Sequence, residues 1–334
     1  MYNVLFLTDR GARHQEAALR AAPAELKVTI LRTPSFAEML PELARADFII
    51  SERNQPVTAE MIAAAPNLKL IVRLGSLDYD IDRAAAAARN IQVVVQPVLG
   101  TLYCAEHALM MILACLKRLG RSLHAALHTA APFSPQRGDE DTFSFNWLNF
   151  EDIGTLFGKT VSIVGMGEIG VELARLLRPF RLKAVLYNKR KPYPNHVEAE
   201  LGAQFATLEE CLRHADVLVS LLPYAPTTDY ALGGGLTAER LRLLKPTACL
   251  VHLGSGSVVD ETEVLHLLQQ GKLAGAAFDT FEFEPLTEKY PLVLYARDPK
   301  HNLLLTPHTA AASAPESRAD DYAAIMAYLA ATQP

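Results

Sequence analysis

The sequence predicts an α/β protein made of two doubly wound parallel-sheet domains. Short apolar segments rich in β-branched residues alternate with alanine-rich segments of helical periodicity, a pattern typical of parallel sheets with helices on both faces. The chain has 334 residues, half of them hydrophobic, which is enough to build two cores. A glycine-rich turn near residue 165 starts a second series of strands and helices. These observations favour two domains over one.

The first series of strands lies within residues 1–100. The predicted strands cover residues 4–8, 28–31, 48–50, 70–74 and 93–95, with alanine-rich helices between them. The most irregular turn, 74–80, comes directly after an apolar strand. Ligands of open α/β sheets bind at such strand ends, but an ordinary connection capped by Asp80 fits the same residues.

A long helix and an irregular segment separate the two series. One helix is predicted from Thr101 to about Leu127, because apolar residues recur at helical spacing. Its apolar stripe consists of Ala105, Ala108, Leu109, Ile112, Leu113 and Leu116. Residues 130–155 then combine two prolines with the aromatic residues Phe133, Phe143, Phe145 and Trp147. Bulky aromatics in a loop usually cover a surface, so we expect this segment to contact a partner subunit or the neighbouring domain.

The second series begins with a turn that predicts a dinucleotide site. Residues 160–164 form an apolar strand, the pattern G-x-G-x-x-G follows it, and apolar residues then continue at helical spacing. Gly165 permits a tight turn, Gly167 lets the backbone approach a pyrophosphate, and Gly170 lets helix and strand pack closely. N–H groups at the helix start favour an anion. The residues predicted to bind the cofactor here are Gly165, Met166, Gly167, Glu168, Ile169 and Gly170.

The strands after the glycine turn complete a second parallel layer. They are predicted at residues 184–187, 217–222, 249–253, 275–278 and 303–305, with helices between them. Two successive layers of this kind imply two similar lobes with a cleft between them.

The end of the strand at 184–187 favours NADP over NAD. An acidic residue about twenty positions after the glycines would bind the ribose hydroxyls of NAD, but Asn188 occupies that place, followed by Lys189 and Arg190. An amide can donate to a ribose 2′-phosphate, and Arg190 can pair with it. The alternative interpretation of this segment is a solvated basic loop.

Composition and charge argue against several other classes of protein. A net charge of −5 with interspersed signs offers no basic patch for nucleic acid. Cys104, Cys115, Cys211 and Cys249 stand singly in apolar segments, so we expect buried thiols and no metal site. The N-terminus becomes charged after eight residues, too soon for a signal peptide, and no run approaches the ~18 apolar residues of a membrane span. We expect a cytoplasmic protein without membrane partners.

Over nearly its full length the chain resembles the D-isomer-specific 2-hydroxyacid dehydrogenases, which depend on NAD or NADP. The matching stretches are Ala105-Glu106-His107, GKTVSIVGMGEIG from Gly158, Leu222-Pro223 with Thr228, Val259-Asp260-Glu261, FDTFEFEPL from Phe278 and LLLTPHTAA from Leu303. Their combination is highly specific. The resemblance implies a small-molecule substrate, a 2-keto or 2-hydroxy acid or a related carbonyl compound.

The resemblance also implies a domain organisation. Residues 1–101 and 308–334 would form a split, flavodoxin-like substrate-binding domain that includes a C-terminal helix near 314–329. Residues 102–307 would form a central Rossmann-type nucleotide-binding domain, with a dimerisation helix and arm at about 102–155. A homodimer built around this domain is therefore expected.

The family's catalytic histidine and glutamate have counterparts in this chain. By resemblance, His308 exchanges the proton of the substrate oxygen, a role that suits an imidazole near neutral pH. Glu284 matches the glutamate that orients this ring. Asp279 matches an aspartate beside the nicotinamide carboxamide. Further residues implied to line the cofactor are Leu222, Pro223, Thr228, His252 and Leu253.

Two departures from the family pattern concern the substrate. Ser255 stands at the position of the arginine that holds the substrate carboxylate, and His252 stands at that of an asparagine. Losing one preorganised donor is expected to cost on the order of 10²- to 10³-fold in rate on a 2-keto acid. The substrate turn, usually G-x-G-Y-D, here places Ser76 and Leu77 after Gly75. Their N–H groups are candidates for binding a carboxylate.

Three explanations for the serine remain open. Arg73 could supply the guanidinium, although a basic strand-end residue that faces water fits the sequence somewhat better. The substrate could instead be a carbonyl compound without a carboxylate. Finally, the protein could bind NADP(H) without turnover, as a sensor or a partner-binding module, although retention of His308 and Glu284 argues against this.

Overall fold

A computed structural model shows parallel α/β architecture throughout the chain, and it describes residues 1–52, 55–129, 132–311 and 318–332. In chain order the strands are β1 (Tyr2–Thr8), β2 (Leu26–Arg32), β3 (Phe48–Glu52), β4 (Leu70–Leu74), β5 (Gln92–Gln96), β6 (Thr160–Val164), β7 (Ala184–Asn188), β8 (Ala203–Phe205), β9 (Val217–Ser220), β10 (Cys249–His252), β11 (Gly275–Phe278) and β12 (Leu303–Leu305). The α-helices are α1 (Ala12–Arg20), α2 (Phe36–Leu43), α3 (Ala59–Ala63), α4 (Arg83–Ala88), α5 (Leu99–Leu116), α6 (Leu119–His128), α7 (Glu168–Leu177), α8 (Asn195–Leu201), α9 (Leu208–His214), α10 (Ala238–Leu241), α11 (Glu261–Gln269), α12 (Pro291–Ala296) and α13 (Ala323–Thr332).

The chain divides into two compact units. The first consists of Met1–Leu102 and Ser313–Pro334, and the second of Tyr103–Ala312. Each unit contains one parallel sheet, as the alternating sequence pattern predicts. The two doubly wound sheets confirm the predicted fold class.

The first unit is a flavodoxin-like domain whose sheet has the order β2-β1-β3-β4-β5. Apolar residues on both faces of the sheet are buried, since each face is covered by helices. Helix α13 belongs to this unit, because its Ile325 and Leu329, together with Tyr322 directly before it, pack into the same core as Phe6 and Phe48. The predicted C-terminal helix therefore exists and lies at 323–332. Residues 314–317 of the prediction fall outside the described residues.

The second unit is a Rossmann-type domain whose sheet has the order β12-β11-β10-β9-β6-β7-β8. The strand order reverses between β6 and β9, and ligands of doubly wound sheets bind at such a switch point. The short edge strand β8 was not predicted, because the sequence Ala-Gln-Phe has neither an apolar run nor a clear alternation. Every other strand lies within two residues of its predicted position.

The sequence analysis placed the domain boundaries at 101/102 and 307/308, whereas the two compact units meet at 102/103 and 312/313. The second unit continues to Ala312, so it contains His308, which was predicted to belong to the first. His308 lies in the second unit because hydrogen bonds attach this turn to the end of β11. The N–H groups of His308, Thr309 and Ala310 all donate to Asp279, which directly follows β11.

The predicted long helix is two helices. Arg118 adopts a left-handed conformation with φ of +50° between α5 and α6, and this breaks the helical hydrogen bonding. Its guanidinium donates to Ala274 O at 2.9 Å and pairs with Asp152 at 2.9 Å. These tertiary contacts stabilise a conformation that the local sequence does not predict.

Helix α5 is long and apolar enough, with a mean hydropathy of 1.6 over 18 residues, to cross a membrane. The sequence expectation concerned an uninterrupted apolar run, and this helix includes Glu106 and His107. Core helices of globular domains also have this composition, and in this one Ala105, Ala108 and Ile112 are completely buried. A single helix of this kind is weak evidence for a membrane span.

Candidate active site

The glycine turn between β6 and α7 is held in shape by the neighbouring strand. The N–H groups of Gly165 and Met166 donate to Asn188 O at 3.0 and 3.2 Å. Gly165 has a φ of +92°, and a Cβ there would lie 2.7 Å from the Leu221 backbone. A Cβ at Gly170 would lie 2.9 Å from Met166 Sδ. Gly165 is therefore required by backbone contact and conformation, whereas a Cβ at Gly170 would require the Met166 and Ile163 side chains to shift.

The outer side of the turn is open to solvent. Gly167 is exposed, and a Cβ there would have no neighbour closer than 4.0 Å. Helix α7 starts at Glu168, followed by Ile169, and the first N–H groups of an α-helix have no acceptor within the helix. An exposed glycine beside a helix start suits an anion such as a pyrophosphate. The residues present therefore fit the predicted dinucleotide.

The basic segment after β7 is partly engaged in the protein. Asn188 Nδ2 donates to Ala206 O at 2.9 Å, which ties β7 to the residue after β8. Lys189 Nζ lies 3.4 Å from the ring centroid of Tyr193. Arg190 is exposed. The amide predicted to donate to a ribose phosphate thus has a structural contact, and Arg190 is an exposed cation at this strand end.

His308 and Glu284 form a hydrogen-bonded pair. His308 Nδ1 lies 2.8 Å from Glu284 Oε2, and a carboxylate only accepts, so Nδ1 carries the hydrogen. The N–H of Phe281 donates to Glu284 Oε1 at 2.9 Å, which orients the carboxylate. The His308 side chain is 62% exposed and that of Glu284 34%. The second ring nitrogen is therefore accessible to a small molecule.

The backbone of His308 is fixed by Asp279. His308 has a φ of +53°, a region that few residues other than glycine occupy. Its N–H donates to Asp279 O at 2.8 Å and to Thr306 O at 3.0 Å. The Asp279 carboxylate, only 1% exposed, accepts from the N–H groups of Thr309 at 2.9 Å and Ala310 at 3.0 Å. Asp279 therefore shapes the turn that carries the histidine.

The loops after β9 and β10 pack against each other. The N–H of Ser255 donates to Leu222 O at 2.9 Å. Thr228 Oγ1 donates to Pro223 O at 2.7 Å and accepts from the N–H of Ala225 at 2.8 Å, which closes the turn after Leu222. Four predicted residues thus lie on adjoining loops at the carboxyl ends of the strands, where ligands of such sheets bind.

His252 and Leu253 are buried, although both were predicted to line the cofactor. Leu253 is 9% exposed and His252 is fully buried. Among the described residues, neither ring nitrogen of His252 has a hydrogen-bond partner. Burial lowers the pKa of His252 to about 4, and nearby backbone groups of Ser255 and Ser220 offset only part of this effect. The imidazole is therefore a neutral core residue beneath the loop that carries Ser255.

Comparison with known proteins agrees with this geometry. A family model described as D-isomer specific 2-hydroxyacid dehydrogenase, NAD binding domain, matches residues 123–310, which is more than half of the chain. The chain belongs to the D-isomer-specific 2-hydroxyacid dehydrogenase family. It is thus an NAD(P)-dependent oxidoreductase of the dehydrogenase and reductase type.

Similar proteins span most of this dehydrogenase. A glyoxylate reductase of Pyrococcus furiosus is 31% identical over 289 residues, covering 83% of this chain and 76% of the relative. A D-3-phosphoglycerate dehydrogenase of Mycobacterium bovis is 31% identical over 313 residues, which cover 93% of this chain but 53% of that protein. A solved structure from Pyrococcus horikoshii OT3 is 29% identical with a TM-score of 0.56, covering 98% of this chain and 91% of the other.

The loop that carries Ser255 in this dehydrogenase keeps a close backbone approach. A Cβ at Gly256 would lie 1.8 Å from Phe281 O, so this position requires glycine. Thr280 Oγ1 also donates to Gly254 O at 2.6 Å, which joins the loop to the end of β11. The side chain of Ser255 is partly exposed. Contacts on both sides thus hold the backbone of the segment that carries Ser255.

In the first unit, Arg73 has contacts that differ from both sequence interpretations. It is 4% exposed, its Nε lies 3.2 and 3.0 Å from the carboxylate oxygens of Asp80, and Nη1 donates to Leu74 O. The guanidinium therefore does not face water, and its hydrogen-bond donors are already engaged with Asp80 and Leu74 and not directed at a substrate. Ser76 and Leu77 are likewise buried, at 4% and 6% exposure.

Two residues near His308, namely His107 and Thr306, were assigned no role from the sequence. His107 Nε2 lies 3.1 Å from Thr306 Oγ1, and Thr306 Oγ1 donates to Asp279 Oδ1 at 2.6 Å. His107 lies on α5, far along the chain from Asp279. The only feature of the sequence that pointed to His107 was its place in the Ala105-Glu106-His107 stretch that matches the family.

Proposed function

We propose that this dehydrogenase interconverts a 2-keto acid, or a related small carbonyl compound, with its hydroxy product, with His308 as the acid/base and NADP(H) as the preferred cofactor. The observation that carries the proposal is the 2.8 Å contact between His308 Nδ1 and Glu284 Oε2. Similarity to glyoxylate reductases, at 31% identity for the Pyrococcus furiosus protein, supports the substrate class.

The second unit would hold the cofactor at the carboxyl end of its sheet. The open backbone at Gly167 and the start of α7 would receive the pyrophosphate. The exposed guanidinium of Arg190 would pair with a ribose 2′-phosphate, which NADP carries and NAD lacks. The bound nicotinamide supplies or accepts the hydride.

His308 handles the proton in this scheme. Glu284 accepts from Nδ1, which leaves Nε2 to give a proton to the substrate oxygen or to take one from it. The carboxylate also stabilises the positive charge that the ring carries when both nitrogens are protonated. Ser255 would offer the substrate one neutral hydrogen bond in place of a guanidinium, so binding of a carboxylate should be weak.

Turnover is tested by following the absorbance of NADPH and NADH with glyoxylate, hydroxypyruvate, pyruvate and a set of neutral ketones and aldehydes. Consumption with any of these supports the oxidoreductase, and the pattern distinguishes keto acids from neutral carbonyls. Tight binding of NADPH without consumption of any compound would contradict the proposal. It would favour the second candidate, a non-catalytic NADP(H) sensor, for which the replacement at Ser255 is the supporting observation.

Restoring the arginine probes the substrate pocket. If the held backbone around Ser255 preserves the site, Ser255→Arg should raise kcat/KM on glyoxylate by on the order of 10²-fold, because a charge-assisted clamp replaces a neutral donor. Neutral carbonyl compounds should gain little. If Ser255→Arg brings no gain on glyoxylate while NADPH affinity is unchanged, the absence of the guanidinium alone does not explain weak binding of a carboxylate.

Cofactor preference is measured by the quenching of protein fluorescence on titration with NADPH and NADH. NADPH should bind more tightly, and Arg190→Ala should reduce its advantage by about tenfold through loss of a charged hydrogen bond. Arg297→Ala, an exposed arginine after α12, is the matched control and should change neither affinity. Equal affinities in the unaltered protein would contradict the NADP preference.

A further inference from the structure

We propose that His107 is a positioning residue for the acid/base His308, acting through Thr306 and Asp279. The inference rests on the proposed role of His308 and adds a second histidine to that site. All four residues lie in the second unit. The contacts that join them form one continuous path from helix α5 to the turn after β12.

The first step of the path fixes the direction of the hydrogen bonds. Thr306 Oγ1 lies 2.6 Å from Asp279 Oδ1, and a carboxylate only accepts, so the single hydroxyl proton goes to Asp279. Oγ1 must then accept from His107 Nε2, at 3.1 Å. His107 therefore carries its hydrogen on Nε2, which also lies 3.5 Å from Asp279 Oδ1.

The second step connects the carboxylate to His308. Asp279 accepts from the N–H groups of Thr309 and Ala310, the two residues that directly follow His308. The N–H of His308 donates to the carbonyl oxygen of the same aspartate. Residue 308 is thus attached to Asp279 on both sides. Its φ of +53° is unfavourable for a side-chain-bearing residue, so these contacts must maintain it.

The third step explains why the path needs His107. Thr306 Oγ1 has a second acceptor within reach, Phe278 O at 3.5 Å, so its proton has an alternative direction. The hydrogen bond that His107 Nε2 donates occupies one lone pair of Thr306 Oγ1. It thereby favours the hydroxyl orientation in which the Thr306 proton is donated to Asp279. Without this donor the hydroxyl is free to turn, and the 1% exposed carboxylate loses one of its few polar neighbours.

The expected consequence is a small displacement of the His308 ring. Misplacement of a catalytic group by about 1 Å can reduce a rate by 10²-fold. Loss of one supporting contact should displace the ring by less than this and should therefore reduce the rate by a smaller factor. We expect kcat to fall about tenfold. Cofactor affinity should change less than twofold, because the pyrophosphate would be held by the glycine turn on other elements and the Asp279 carboxylate, although its bonds to Thr309 and Ala310 weaken, is kept in position by them.

Four variants separate this role from a purely structural one. His107→Leu and Thr306→Val remove the hydrogen bond from opposite ends, while His107→Gln and Thr306→Ser keep a donor and a hydroxyl. Amide proton shifts of Thr309 and Ala310, read by TROSY NMR on the deuterated protein, report directly on their bonds to Asp279 and need no turnover. Both signals should move upfield in the Leu and Val variants and return in the Gln and Ser variants.

Steady-state kinetics with NADPH and the best substrate supply the second readout. In the Leu and Val variants kcat should drop about tenfold, with KM and the NADPH Kd within twofold of the unaltered protein. The double variant His107→Leu, Thr306→Val should be no slower than the slower single variant, because both changes interrupt the same path. The Gln and Ser variants should recover most of the rate.

Unchanged amide shifts in both the Leu and the Val variants would overturn the proposal, as would losses in kcat that multiply in the double variant. If His107→Leu fails to fold, Thr306→Val makes the same prediction from the other end of the bond. An unaltered protein that consumes no substrate would contradict the proposed function instead, and the NMR shifts would still decide the role of His107.

Discussion

His308 takes its conformation from Asp279 and not from its neighbours in sequence. The pairing with Glu284, 24 positions earlier, joins two loops that follow different strands, β11 and β12. Nothing in the local pattern around either residue predicts that contact, so only the resemblance to a dehydrogenase family identified them. The roles of His107 and Thr306 were missed for the same reason, since their bond spans 199 positions.

A buried neutral histidine makes stability depend on pH. His252 has a pKa of about 4 in the folded protein against 6.5 as the reference value. Between these values the unfolded chain binds a proton that the folded protein does not, so stability falls as the pH decreases from 6.5 toward 4 and is unaffected above 6.5. The loss should reach about 2 kcal/mol by pH 5.

This dependence is measured by urea unfolding between pH 5 and pH 7.5 in the unaltered protein and in His252→Asn, whose side chain does not titrate in this interval. The variant should have a smaller loss of unfolding free energy over this interval, whatever its stability at pH 7.5. An equal loss in both proteins would show that His252 does not titrate in this way.

At the scale of elements, the strand–turn–helix unit β6–α7 was predictable residue by residue. Its three glycines have different surroundings, since backbone crowds Gly165, side chains crowd Gly170, and nothing lies close to Gly167. The break between α5 and α6 was not predictable, because Arg118 is held by contacts with Asp152 and Ala274 from distant parts of the chain. Local periodicity cannot report such contacts.

Alanine substitutions should separate folding from cofactor binding within this turn. Gly165→Ala places a Cβ 2.7 Å from backbone at a φ of +92°, so we expect it to destabilise the protein by about 3 kcal/mol or more. Gly167→Ala has room for the Cβ and should change stability by less than about 1 kcal/mol. It should nevertheless weaken NADPH binding at least tenfold, because the backbone at this position would face the pyrophosphate.

Thermal unfolding measures the stability of the Gly165→Ala and Gly167→Ala variants, and fluorescence titration measures their NADPH affinity. Undiminished NADPH affinity in a well-folded Gly167→Ala variant would place the pyrophosphate elsewhere. A Gly165→Ala variant as stable as the unaltered protein would contradict the assigned backbone conformation.

At the scale of the whole molecule, the alternating pattern predicted both parallel sheets, whereas the C-terminal helix in the first unit was implied only by the resemblance to the dehydrogenase family. The division by contacts keeps His308 in the second unit, because His308, Thr309 and Ala310 are bonded to Asp279, and their sequence alone gives no sign of these bonds. The surroundings of Arg73 in the first unit were not predicted either. Arg73 is engaged with Asp80, a partner seven positions away that strand geometry did not reveal.

The aromatic segment after α6 supports the proposed homodimer. Phe143 is 69% exposed and Phe145 is 80% exposed, and contiguous exposed aromatic side chains are typical of surfaces that bind another protein chain. Phe145→Glu should therefore convert a dimer to a monomer in sedimentation velocity. Leu40→Glu, at an exposed apolar position on α2, is the matched control and should leave the dimer intact. A monomeric unaltered protein, or a dimeric Phe145→Glu variant, would contradict this interface.

The most direct test of the central claim is the rate of NADPH consumption by His308→Gln on the best substrate, measured together with the NADPH Kd. If the histidine backed by Glu284 exchanges the substrate proton, kcat/KM should fall by about 10³-fold while the NADPH Kd stays within twofold. A variant that binds NADPH normally and keeps more than a tenth of the activity would contradict the account.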